Sequence, residues 1–290
     1  MRWQRSASDD RDVLDQRDGG RSAIPGGVRV GGGAGILGVI VTLAIVLLGG
    51  GSGSSILGEV TDPFGAAVGT PAGGEIPAGQ DPDRDLRDFS AYVFSSAQRA
   101  WQDVFEQQGR PYKRAKLVLY SRGVNTACGS ATSAAGPFYC PGDQRVYLDL
   151  SFYREMAQQL GASGDFAWAY VIAHEVGHHV QRRAGTEAKV RELQREQPSE
   201  ANTLSVRLEL QADCYAGVWA HGVQRDLEAG DAEEALGAAS AVGDDRLQRA
   251  ATGSVNPDSF THGTSEQRVR WFSTGQQSGE PADCDTFAAG

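Results

Sequence analysis

The run His174-Glu175-Val176-Gly177-His178 constrains this chain more than any other feature. Two imidazoles four residues apart serve one centre only if the backbone between them is helical, because at about 3.6 residues per turn positions i and i+4 point the same way. Rings stacked one turn apart can close on a single divalent metal ion. Glu175 lies about 100° round the helix from His174, beside such an ion rather than on it. A carboxylate there can take a proton from water and later pass it to a leaving amine. The flanks support a helix. Gly164 and Asp165 can start it, Gly185 can end it, and Arg182 and Arg183 fall in the last turn, where they meet the helix dipole. Ala169, Ala173 and Gly177 are small, which predicts close packing against neighbours. His179 points well away from His174 and His178 and reads as a structural histidine.

This is the H-E-x-x-H pattern of zinc peptidases. A catalytic zinc site keeps three protein ligands and leaves one position open. The continuation that would supply a third histidine fails, because the chain has Gln181 and Ala184 where glycine and histidine are required. Glu209 is the better candidate. It sits in Arg207-Leu-Glu-Leu-Gln-Ala-Asp213-Cys-Tyr215, whose apolar spacing predicts a helix capped by Ser199 or Asn202. Glu209 and Asp213 are i and i+4 and share one face. Set among Leu208, Leu210, Ala212 and Tyr215, unpaired carboxylates would be costly. Glu209 therefore reads as a metal ligand, and Asp213 as the acceptor for the second ring N–H of a ligating histidine.

His174-Glu-x-x-His178 followed by Glu209-x-x-x-Asp213 resembles the gluzincin arrangement. The wider wording resembles the bacterial neutral zinc metallopeptidase family, whose members are membrane-anchored. The stretches that carry the likeness are Ala127-Cys-Gly, Gly136-Pro-Phe-Tyr-Cys-Pro-Gly-Asp143, Val146-Tyr-Leu-Asp149, the two helices above and Thr261-His-Gly-Thr-Ser-Glu-Gln-Arg-Val-Arg-Trp271. The resemblance implies an α+β, zincin-like fold: a small mixed sheet packed on a helical domain that carries the metal site, with one N-terminal transmembrane helix. It implies one Zn²⁺ per chain, held by His174, His178 and Glu209, with Glu175 catalytic. It also offers His262 as a catalytic group that stabilises an oxyanion, against the alternative of a histidine hydrogen-bonded in a tight turn before a capped helix. Residues 145–150 are offered as a strand that takes substrate backbone at its edge, against the alternative of an interior strand.

From Gly31 to Gly51 no charged residue occurs, which is long enough for a helix to cross a bilayer. Residues 1–30 hold six arginines, and beyond the apolar stretch no Lys or Arg appears until Arg84. That bias predicts a single-pass cell-membrane protein with a cytoplasmic N-terminus and an extracytoplasmic catalytic domain. A cleaved signal peptide fits less well, because no Ala-x-Ala follows the apolar core. The expected organisation is a disordered leader (1–30), a transmembrane anchor (31–51), a Gly/Pro/Ser-rich linker (52–84) and a catalytic domain (85–290). Cys128, Cys140, Cys214 and Cys284 all follow the anchor, an even number in an oxidising space. Three pairings are open. Cys128–Cys140, closing a short loop, and Cys214–Cys284, tying the tail to the Glu209 helix, are favoured.

Within the domain, apolar spacing predicts a helix over Phe89–Gln108 and strands over Lys116–Tyr120 and Arg145–Leu150. A helix is predicted over Ser151–Gln159, a solvated helix or loop over 186–198 and a peripheral helical pair over Asp231–Arg249. A formal charge of −10 with no basic patch excludes nucleic acid as a partner. The expected activity is peptide-bond hydrolysis by a zinc metallopeptidase acting on a peptide or protein substrate. The alternative is a silent zincin-fold scaffold that holds a partner at the membrane, but a scaffold has no need of Glu175.

Overall fold

The computed structural model describes residues 1–4, 9–17, 76 and 79–288. The expected transmembrane segment 31–51 lies outside them, as does most of the linker. Among the described residues, no helix is long and apolar enough to cross a membrane.

The chain forms a mixed α+β structure. In chain order its strands are β1 (Val13–Asp15), β2 (Lys116–Tyr120), β3 (Gly123–Thr126), β4 (Gly129–Thr132), β5 (Phe138–Cys140) and β6 (Arg145–Asp149). Four of them make one sheet in the order β1-β2-β6-β5, while β3 and β4 form a separate antiparallel hairpin. β1 and β2 are parallel, as are β2 and β6, whereas β5 runs antiparallel to β6. Both edges of β6 are thus filled by strands, which corrects the expectation that it offers substrate a free edge.

The helices are α1 (Arg84–Gln107), α2 (Ser151–Gln159), α3 (Asp165–Ala184), α4 (Thr186–Glu196), α5 (Ala201–Gly222), α6 (Asp231–Ala241), α7 (Asp244–Thr252) and α8 (Ser265–Ser278). α1 carries its aromatic stripe (Phe89, Phe94, Trp101, Phe105) into the core, as its spacing requires. α3 is buried on all sides from Phe166 to Gln181, and α5 from Leu208 to Ala220. Apolar enclosure of this kind gives a metal-binding helix rigid support. Gly185 ends α3 in the left-handed region at φ 88°, a conformation glycine adopts without a Cβ clash.

Small residues set the helix spacing around the site. A Cβ on Gly177 would lie 3.0 Å from the Ala212 carbonyl oxygen, so α3 and α5 meet between His174 and His178 on one side and Glu209 and Asp213 on the other. The crossing of α5 and α8 is tighter still. A Cβ on Gly217 would fall 2.1 Å from the Phe272 oxygen, and one on Gly275 would fall 2.0 Å from the Cys214 oxygen. Disulfides join Cys128 to Cys140 and Cys214 to Cys284. The second fastens the C-terminal segment to α5 one residue beyond Asp213.

Some expectations are corrected. α5 begins at Ala201 with Glu200 as its N-cap and no side-chain cap from Ser199 or Asn202. α6 is not peripheral, because Ala235, Ala238 and Ala239 are fully buried in the main core. α4 has an apolar contact after all, with Val190 packed against Leu204 and Leu208.

The largest correction concerns the leader, whose described residues are part of the domain. β1 pairs with β2, Trp3 packs edge-on against Phe89 at 5.5 Å, and the Met1 ammonium lies 3.1 Å from both Asp165 and Asp231. Arg17, buried, reaches Asp81 at 2.8 Å, so described residues on either side of the apolar stretch are paired with each other. Composition pointed to disorder because these residues are charged. Their charges are instead neutralised by pairs such as Arg114–Asp12 at 2.6 Å and Lys116–Asp12 at 2.8 Å.

Candidate metal centre

α3 and α5 bring three donors together in the buried interior. His174, His178 and Glu209 each offer a ligand atom, and these atoms lie within 4.8 Å of one another. The His174 Nε2 is 3.2 Å from Glu209 Oε2, and the His178 Nε2 is 3.4 Å from Glu209 Oε1. The two imidazoles stand perpendicular with centroids 4.7 Å apart, and both turn Nε2 to the Glu209 carboxylate.

Each Nδ1 is engaged elsewhere. His174 Nδ1 donates to Asp213 Oδ1 at 2.8 Å, and His178 Nδ1 to Gln181 Oε1 at 2.9 Å. These acceptors fix the tautomer, leaving the Nε2 lone pairs for a cation. Gln181 is itself held, donating to the Leu208 carbonyl at 2.6 Å and to Gln211 at 3.2 Å. Asp213 is fully buried and carries a dense set of donors. Tyr170 donates to its Oδ1 at 2.6 Å, while Arg268 donates Nε to Oδ2 at 2.8 Å and Nη2 to Oδ1 at 2.9 Å.

The electrostatics describe a cage for positive charge. Burial lowers the basicity of His174, but the Asp213 and Glu209 carboxylates more than offset this and raise its pKa to about 10. Burial would raise the Glu209 carboxyl, yet His178 and His174 hold it well below the usual carboxylate range. Burial would raise Asp213 too, and Arg268 with His174 keeps it low. Glu175 goes the other way: burial pushes its carboxyl up, with His178 and His174 only partly opposing. A proton and a metal ion compete for the same imidazole lone pairs.

The donor set fits zinc. His₂Glu is a tetrahedral three-ligand set with one position to spare. Among the described residues, His178 Nε2, Glu209 Oε2 and Glu175 Oε2 are buried without a hydrogen-bond partner. Buried polar atoms left unpaired are rare in folded proteins, and two of these three belong to Glu209 and Glu175, which line one cavity with His174. Glu175 stands beside the donor cluster, on the position the helical geometry predicts.

His262 joins the same cavity as His174, Glu175, Glu209 and Arg268. It is buried, and its Nδ1 lies 3.2 Å from Asp244 Oδ1 and 2.9 Å from Thr261 Oγ1. Asp244 Oδ2 accepts the backbone N–H groups of Thr261 and His262 at 2.7 Å and of Gly263 at 3.1 Å, which fastens the loop before α8. The capping box of Thr264 and Gln267 then starts the helix. His179 lies apart from the donors, its Nδ1 3.0 Å from the Tyr139 hydroxyl and its Nε2 2.7 Å from the Lys113 carbonyl. Burial lowers its pKa to about 4, as befits a neutral core imidazole.

Sequence reasoning missed Tyr170, Gln181, Asp244 and Arg268. Arg268 sits in a helix rich in polar residues, and nothing in its neighbourhood distinguishes it from Arg270. Asp244 opens an acidic pair that looks like ordinary first-turn decoration. The one available signal was Tyr170, one turn before His174 on the same face.

Comparisons with known proteins place the chain among related sequences. "Uncharacterized protein YpfJ" of Escherichia coli (strain K12) is 48% identical over 292 residues, covering 99% of each chain. "Uncharacterized protein Rv2575" of Mycobacterium tuberculosis is 42% identical over 224 residues, covering 73% of this chain and 74% of its own. No solved structure matches the chain. The family model described as "Putative neutral zinc metallopeptidase" matches residues 1–287, the described leader residues included, and the chain belongs to that family.

Proposed function

We propose that this protein is a zinc-dependent peptidase of zincin-like fold, with His174, His178 and Glu209 as the ligands of one zinc ion. The observation that carries the reading is the convergence of two imidazole Nε2 atoms and a buried carboxylate beside the unpaired Oε2 of Glu175. Zinc held there supplies Lewis acidity toward a peptide carbonyl and toward water.

The protein's own groups do the rest. Glu175 removes a proton from the attacking water and returns it to the leaving amine nitrogen; its carboxyl, raised by burial, suits both directions. Asp213, held by Arg268 and Tyr170, orients His174. His262, its Nδ1 side held by Asp244, turns Nε2 to the carbonyl oxygen as negative charge gathers there, a role worth about 3 kcal/mol to a transition state. A partner-holding scaffold would have no use for Glu175.

The test is metal content and peptide cleavage of the purified protein. Wild type is expected to hold one equivalent of zinc and to cleave a mixed peptide pool. Glu209→Gln removes a charged ligand and is expected to lose most of the zinc and the cleavage with it. Full zinc content and activity in Glu209→Gln would remove Glu209 from the ligand set.

We further propose that the domain lies outside the cytoplasmic membrane, attached through residues 31–51, with both ends of that stretch on the domain's side. Two disulfides support an oxidising compartment, and the contacts of Trp3, β1 and Arg17 support a shared side for leader and domain. A cysteine introduced at exposed Gln16 is expected to react with a membrane-impermeant maleimide in intact cells. Protection until the cells are opened would restore a cytoplasmic N-terminus.

A further inference from the structure

The cavity that holds Glu175 and His174 has a volume of about 360 Å³. Beyond the reactive groups its walls are mostly apolar, with Glu155 and Gln159 as the polar members. Pro137 contributes from the segment before β5, Phe152 from α2, Leu160 from the end of α2, Val171 from α3, and Val242 and Leu247 from the junction of α6 and α7. Val171 and Glu175 are i and i+4 on α3, so the apolar wall adjoins the proposed base.

We infer that this pocket selects a large aliphatic or aromatic side chain on a residue adjoining the scissile peptide bond. The inference rests on the peptidase reading above and names its substrate class. The volume lies at the lower end of the roughly 300–1,000 Å³ typical of ligand sites, room for a side chain and its stretch of backbone but not for a folded partner. The charges point the same way. Among the described lining residues Arg268 is the only guanidinium or ammonium group, and it is committed to Asp213, Tyr170 and the Val242 carbonyl. An acidic substrate side chain, or a terminal carboxylate, therefore finds no uncommitted guanidinium or ammonium group among the described lining residues, while Glu155 on the wall adds a carboxylate of the same sign. Interior peptide bonds flanked by Leu, Ile, Met or Phe are the substrates this surface accepts.

The test digests a diverse peptide pool with the purified, zinc-loaded full chain and reads the residues flanking each cut by mass spectrometry. One flanking position is expected to favour Leu, Ile, Met or Phe over Ala by about 10-fold or more, the discrimination typical of a methylene in an apolar pocket, and to be depleted in Asp and Glu. Leu247→Ala and, independently, Phe152→Ala enlarge the pocket and are expected to shift the preference toward Phe and Trp. Cleavage with no apolar preference at any flanking position, or an unchanged profile in a folded variant, overturns the pocket assignment and leaves the peptidase reading standing. Binding of Leu- and Asp-containing peptides to Glu175→Gln, measured by calorimetry, needs no turnover. A Leu preference there supports the pocket, and combined with no cleavage by wild type it overturns the peptidase reading instead. Equal affinity for both peptides overturns the pocket.

Discussion

Glu175→Gln is expected to retain one equivalent of zinc and to lose peptide cleavage by about 10²–10⁴-fold, the usual worth of a positioned general base. The amide matches the carboxylate in shape, so packing around α3 is preserved. It cannot accept a proton from water, and so has none to hand to the leaving nitrogen. Because Glu175 is outside the donor cluster, metal content separates this variant from Glu209→Gln, which is expected to lose both. Zinc analysis alongside initial rates on one good peptide decides the point. A Glu175→Gln protein that cleaves at the wild-type rate would show that another group handles the proton, and the mechanism above would fall.

Arg268→Met is the second large effect. The guanidinium is buried with Asp213 in a two-point contact at 2.8 and 2.9 Å. Removing one partner of such a pair strands the other charge in the interior, which costs about 3–5 kcal/mol. Zinc affinity is expected to fall as well, by roughly 10–100-fold, because Asp213 loses the contacts that aim it at His174 Nδ1. Lysine is a poor substitute, since a point charge cannot reproduce the fork. Denaturant unfolding of the metal-free proteins isolates the stability loss, and competition with a chelator reads the affinity. In a cycle with Asp213→Asn the two changes should be strongly non-additive, as expected for groups in one network. Additive effects, or a loss below about 1 kcal/mol, far under the cost expected for breaking a buried pair, would mean that Asp213 does not depend on Arg268.

Much of the secondary structure is legible in the chain because its signals are local. The Lys116–Tyr120 strand and the Ser151–Gln159 helix fall where apolar runs and turn residues put them. The leader was misread for a physical reason: a charged segment looks disordered until its partners are known, and Asp12, Arg17 and Asp10 find theirs at Arg114, Asp81 and Arg87. The edge of β6 was misread because a strand's own residues do not name its neighbours: β5 covers one edge across the short turn at 141–144, and β2, from a more distant stretch, covers the other.

By itself the sequence determined which residues share a helical face: His174 with His178, Glu209 with Asp213, and Glu175 turned off to the side. Helical geometry converts those spacings directly into directions. Only the tertiary structure decided that the two faces meet, through the approach of Gly177 to Ala212, and that α8 presses onto α5 at Gly217 and Gly275 to deliver Arg268 to Asp213. It alone placed Asp244 behind His262 and lined the cavity with Leu247 and Phe152. Those contacts join segments far apart in the chain, and no local periodicity encodes a partner that close packing of several helices brings within reach.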